Sequence, residues 1–151
     1  MCELHKKTTR IQYMRYVFFF VCLLLFHGTS SARVDETDVS DIRAVIESQL
    51  VAFGMGDAEK AFSAASSEVQ TAYKSANNFM NMIRDLYSPL LNATEWRFQV
   101  LVSRANNPIQ IIKFTEPTGS DWIAAYKMVK GYQGFWKIDN VIMGKIEGEL
   151  I

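Results

Sequence analysis

Trp96-Arg97-Phe98-Gln99-Val100-Leu101-Val102-Ser103 places Trp96, Phe98, Val100 and Val102 on one side of an extended chain and Arg97, Gln99, Leu101 and Ser103 on the other. Successive side chains of a strand point to opposite faces, so this period of two reads as a half-buried β-strand. Downstream the period recurs. Ile109 to Phe114 forms a second strand, Trp122, Ala124, Tyr126 and Met128 alternate in a third, and Trp136, Ile138, Asn140 and Ile142 alternate in a fourth. Asn106-Asn107-Pro108, Pro117-Thr118-Gly119 and the stretch Gly131 to Gly134 supply the turn chemistry between them. Connections this short join antiparallel neighbours, and parallel strands would need crossover helices that the sequence does not offer. A four-stranded antiparallel meander follows.

Upstream of this stretch the apolar period lengthens to that of a helix. Ile42, Val45, Ile46, Gln49, Leu50 and Phe53 repeat at three and four residues, with Asp38 or Ser40 as the expected cap. Gly54-Met55-Gly56 ends that helix, and Asp57 caps a second one that turns Ala58, Ala61, Phe62 and Ala65 inward. Ser66 and Ser67 interrupt it, and a short segment carries Val69, Ala72 and Tyr73. A third helix is expected from Asn77 through Phe79, Met80, Met82, Ile83, Leu86 and Tyr87, ended or bent by Pro89. Helices first and an antiparallel sheet after give an α+β fold in which the helices cover the apolar face of the sheet.

The 151-residue chain carries a different signal at its start. Lys6, Lys7, Arg10 and Arg15 precede an apolar run from Tyr16 to Phe26, and Gly28, Thr29, Ser30, Ser31 and Ala32 follow it. Basic, apolar, then small is the order of a secretory signal peptide, and the run is short of the roughly 20 residues a membrane span needs. Residues 1–32 are therefore expected to be a leader, removed after Ala32. Residues 33–151 then form a single domain with a short polar arm at 33–40. The expected location is the periplasm or the medium, with membrane contact only through an uncleaved leader. Cys2, Cys22, His5 and His27 all lie in the leader, so the mature chain has neither cysteine nor histidine. Disulfides, zinc sites of Cys and His, and Ser-His or Cys-His hydrolytic sets are excluded from it. Without Lys6, Lys7, Arg10, Arg15 and Glu3, twelve basic and fifteen acidic residues remain, a net charge of about −3. Phosphate backbones need clustered Lys and Arg, so no nucleic-acid partner is expected. Asp35, Glu36, Asp38 and Asp41 lack the glycine and closing glutamate of a calcium loop, and Gly54-Met55-Gly56 lacks the strand and further glycine of a dinucleotide site. No metal and no cofactor are expected.

The segment Ile42-Arg43-Ala44-Val45-Ile46-Glu47-Ser48-Gln49-Leu50 with Phe53 resembles the DUF4864 family of small exported bacterial proteins. Asp57, Ala58, Ala61-Phe62, Ala65-Ser66, Phe79, Met82, Tyr87 and Leu90 share in the likeness. So do Trp122-Ile123-Ala124-Ala125-Tyr126-Lys127-Met128 and Gly134-Phe135-Trp136-Lys137-Ile138. The likeness spans residues 38 to 143 and extends, more distantly, to the NTF2-like, cystatin-like superfamily. That resemblance implies helices wrapped by a curved sheet as an NTF2-like cone, a cavity opening at one end, and frequent dimerisation through the sheet. Members of the superfamily include enzymes, carriers and interaction modules, so the fold does not choose among them.

Seven residues are candidates for the cavity: Arg84, Tyr87, Trp122, Tyr126, Trp136, Asp139 and Asn140. By alternation Asn140 shares a face with Trp136 and Ile138 while Asp139 points away with Lys137. The aromatic residues would suit a small apolar or amphipathic ligand, or else pack as core. The leading expectation is a non-enzymatic ligand-binding or interaction module with no catalytic residues. The alternative is an enzyme acting on a small organic substrate, in which burial raises the pKa of Asp139 or Asp85 and makes it a general base. Ile109-Gln110-Ile111-Ile112 is apolar on both faces, which suggests a homodimer through the sheet.

Overall fold

A computed structural model describes residues 34–103 and 107–147. The expected leader and Asn106 of the first expected turn lie outside the described residues. Five helices precede four strands among the described residues: α1 (Glu36–Met55), α2 (Ala58–Ser63), α3 (Ser67–Tyr73), α4 (Ala76–Leu86), α5 (Ser88–Leu91), β1 (Glu95–Val102), β2 (Ile109–Thr115), β3 (Asp121–Lys130) and β4 (Trp136–Lys145).

The helix starts follow from polar side chains that accept first-turn N–H groups. Asp35 caps α1 by accepting from the Asp38 N–H at 2.7 Å, so the cap lies three residues before Asp38. Asp57 caps α2 as expected, Ser66 caps α3, and Ser75 caps α4 one residue before its first turn. Gly56 closes α1 with φ of 67°, a conformation glycine takes without steric cost. Asp38 instead joins helix to sheet. It accepts from Trp136 Nε1 at 2.9 Å and from Lys130 Nζ at 2.9 Å, and Lys130 first and Trp136 second hold its carboxyl below the usual range.

One apolar layer lies between helices and sheet. Ile42, Ile46, Leu50 and Phe53 of α1 meet Phe79, Met80 and Ile83 of α4 and Ile112, Phe114, Ala124, Tyr126 and Met128 of the sheet. Strand order is β1-β2-β3-β4, each antiparallel to the next. The antiparallel meander matches the expectation from the sequence. The cone does not. Strands pair only with their chain neighbours, and the sheet neither closes nor curls strongly. Two pairing irregularities interrupt it. On β1, Phe98 pairs with Ile112 and Leu101 with Gln110, so β1 holds one residue too many. On β4, Ile138 pairs with Met128 and Asn140 with Lys127, leaving Asp139 as the extra residue. An extra residue in a strand is a β-bulge, and beyond it the inward and outward positions exchange. Val100 is accordingly 64% exposed, while Leu101 packs against the core.

The outer edge of β4 is partly covered. Ile138 N–H donates to the Ala64 carbonyl at 3.0 Å and Ser66 N–H to the Ile138 carbonyl at 2.8 Å, so the link between α2 and α3 acts as a short parallel neighbour. That pairing sets α3 beside the bulge.

Candidate functional site

A cavity of about 140 Å³ lies where α1, α3, α4 and β4 meet. Its apolar wall is built from Phe53 of α1, Val69 of α3, Phe79, Met82 and Ile83 of α4, Leu90 of α5, and Ile138 and Val141 of β4. Phe79 is the hub. Its ring lies 6.4 Å from that of Phe53, stacked, and 5.8 Å from that of Tyr73, edge-on. These rings hold one another in place and leave the space beside them unfilled.

Gln49, Tyr73, Tyr87, Asp139 and Asn140 give the cavity its polar groups. Gln49 sits on the buried stripe of α1, with its Nε2 donating to the Ala61 carbonyl at 3.1 Å. Tyr87 Oη donates to the Val141 carbonyl at 2.9 Å. Asp139, at the bulge, is held from two directions: Oδ1 accepts from Ser66 Oγ at 2.9 Å and Oδ2 from Lys127 Nζ at 2.8 Å. Ser66 Oγ in turn accepts from Val69 N–H at 3.3 Å, as the cap of α3. The Lys127 ammonium holds the Asp139 carboxyl below the usual carboxylate range, against the opposing effect of burial and with help from Ser66. A general base needs a pKa near the working pH, and this group is shifted the other way.

Tyr87, Asp139 and Asn140 are the three sequence candidates that line the cavity. The bulge corrects their expected orientation. Asn140 pairs with the outward-facing Lys127 and is exposed, so it does not share the face of Trp136 and Ile138, and Val141 takes the inward position instead. The other four candidates lie elsewhere. Arg84 is exposed on α4 and donates to Asn81 Oδ1 at 2.9 Å. Trp122 stacks on Phe114 at 6.3 Å and donates from Nε1 to Glu116 Oε2 at 2.7 Å. Trp136 is buried and joined to Asp38. Tyr126 is fully buried in the core, where burial first and Tyr87 second push its phenol above the ordinary value. Asp85 is exposed, whereas the base reading required it to be buried.

Gln49, Ser66 and Lys127 were not foreseen as site residues. Gln49 carried a signal: it is a polar residue on an otherwise apolar stripe, and such a residue needs a buried partner. Ser66 and Lys127 act through a pairing between distant segments, which leaves no mark on local sequence. No group of three or more His, Cys, Asp or Glu side chains suited to a metal occurs among the described residues.

The chain matches, over residues 35–150, the family model described as a domain of unknown function, DUF4864, and it belongs to that family. No curated protein matches it. Among solved structures it is similar to a ketosteroid isomerase-like protein from Erwinia carotovora atroseptica SCRI1043, with a TM-score of 0.52 and 12% identity over 75% of this chain and 99% of that one. That likeness is one of fold.

Proposed function

We propose that this DUF4864 protein is exported and binds a small molecule, without catalysis, in the cavity between its helices and β4. The carrying observation is the cavity itself. Interiors pack to the density of organic crystals, and voids larger than a water molecule are few. Here a pocket of about 140 Å³, partly open to solvent, stays unfilled between the buried Phe53, Phe79, Ile83, Leu90 and Ile138 and half-buried neighbours, with one charged side chain in its lining. An apolar cavity of about this volume accepts a molecule the size of benzene. Sites for drug-sized ligands run to about 300–1,000 Å³, so a multi-ring molecule such as a steroid would not be enclosed. The ligand is a one-ring molecule, or the small end of a larger one. The lowered pKa of Asp139 favours binding over base catalysis.

Native mass spectrometry of the protein purified from its own host tests this. Added mass that leaves on denaturation supports a bound ligand. An unchanged mass that stays unchanged after exposure to toluene or benzylamine would contradict it. The same spectrum reads the export proposal, which rests on the basic, apolar, small order of residues 1–32: the expected mature chain starts at Arg33.

A second reading concerns the outer face of the sheet. Ile111, Ala125 and Ile142 stand in one cross-strand row, with Ile123 beside them. Ile142 is 68% exposed and Ile123 43%. Apolar residues aligned on an open sheet suit a second copy of the same chain, and we propose a homodimer through this face.

A further inference from the structure

Two of the cavity's polar groups, Tyr87 and Asp139, present acceptors to it. Gln49 commits one amide N–H to Ala61 and keeps its second N–H and its carbonyl oxygen. Tyr87 commits its proton to Val141, which leaves the lone pairs of Oη. Asp139 is an acceptor on both oxygens. Tyr87 and Asp139 therefore present acceptors, while the amides of Gln49 and Asn140 and the hydroxyl of Tyr73 bring donors as well. Among the described residues that line the cavity, Asp139 alone is charged. The Lys127 ammonium that partly compensates it is not a lining residue. The aromatic wall adds to the same preference, because the faces of Tyr73, Phe79 and Phe53 are electron-rich and attract cations.

We propose that the cavity selects a small organic ammonium: an apolar body of about one ring carrying a protonated amine directed at Asp139. This rests on the ligand-binding reading above and names its ligand class. An anion of the same size meets the like charge of Asp139. A neutral hydrocarbon fills the cavity and leaves the acceptors without a new partner.

Calorimetric titration at pH 7 with benzylamine, toluene and benzoate separates these cases. Benzylamine is expected to bind at least about tenfold more tightly than toluene, and benzoate to give no measurable heat. Asp139→Asn is expected to remove most of the ratio between benzylamine and toluene. Lys127→Met, which deletes the compensating charge outside the cavity, is expected to raise that ratio. The opposite direction of the two variants excludes simple misfolding as the cause. Toluene binding as tightly as benzylamine, benzoate binding at all, or a ratio unchanged in Asp139→Asn would overturn the ammonium assignment and leave a generic ligand cavity standing. Failure of both toluene and benzylamine to bind would remove the ligand-binding reading along with it.

Discussion

Tyr126 shows how one side chain can be central without being part of the site. It is fully buried, and its Oη has no hydrogen-bond partner among the described residues; nor does Oε1 of Gln110, its cross-strand neighbour. A buried hydroxyl without a partner has lost its hydration and regained little, so removing it relieves a penalty. Tyr126→Phe is expected to leave stability unchanged or raise it by about 1 kcal/mol in urea unfolding. A loss of that size would reveal a hidden partner for Oη. Asp139 behaves oppositely. Its folded-state pKa lies below its unfolded one, so the native state takes up this proton less readily. The stability it contributes is complete above the unfolded value of about 3.9 and is lost as pH falls through the lower folded value. Unfolding curves from pH 6 to pH 2 should therefore decline less steeply for Asp139→Asn than for the native chain, and parallel curves would deny the Lys127 and Ser66 contacts their role.

Among the elements, α3 and β4 depend on each other through Ser66. Its hydroxyl accepts from Val69 N–H and donates to Asp139, while its backbone N–H donates to Ile138. Ser66→Ala removes both side-chain contacts and is expected to cost about 1–2 kcal/mol. Chemical denaturation measures the loss, and a change within about 0.3 kcal/mol would contradict the coupling. The types of the major elements were legible because periods of 3.6 and 2 are local: the stripe from Ile42 to Phe53 and the alternation through Tyr126 are visible in the sequence. The bulges were not legible. Gln110 steadies the first by donating from Nε2 to the carbonyls of Gln99, at 3.1 Å, and Val100, at 3.4 Å, and Asp139 marks the second. Each arises from contacts between strands, and each reverses the facing of every residue beyond it. Alternation alone therefore puts Asn140 inward, where the bulge puts Val141. Asp139 was picked out for its charge, while its true position came from the irregularity.

At the scale of the molecule, the α+β order and the meander followed from the sequence, and the family resemblance agreed. The cone came from superfamily likeness alone and gave way to an open sheet, because closure depends on how far strands bend and that is not written in their alternation. An open sheet leaves its outer face to be covered. With Ile142 and Ile123 exposed there, Ile142→Lys is expected to convert the proposed homodimer to monomer in light scattering. A native chain that is already monomeric at micromolar concentration would end the dimer proposal. The small cavity remains the feature on which the functional account stands, and filling it is the sharpest intervention. Methyl-detected NMR titration with toluene, run on the native protein and on Ile83→Phe, tests it most directly. Saturable shifts confined to the methyl groups of Val69, Met82, Ile83, Leu90, Ile138 and Val141, and lost in Ile83→Phe, are the predicted result. No saturable shift, or shifts on Ile111, Ile123 and Ile142 of the outer face instead, would contradict it.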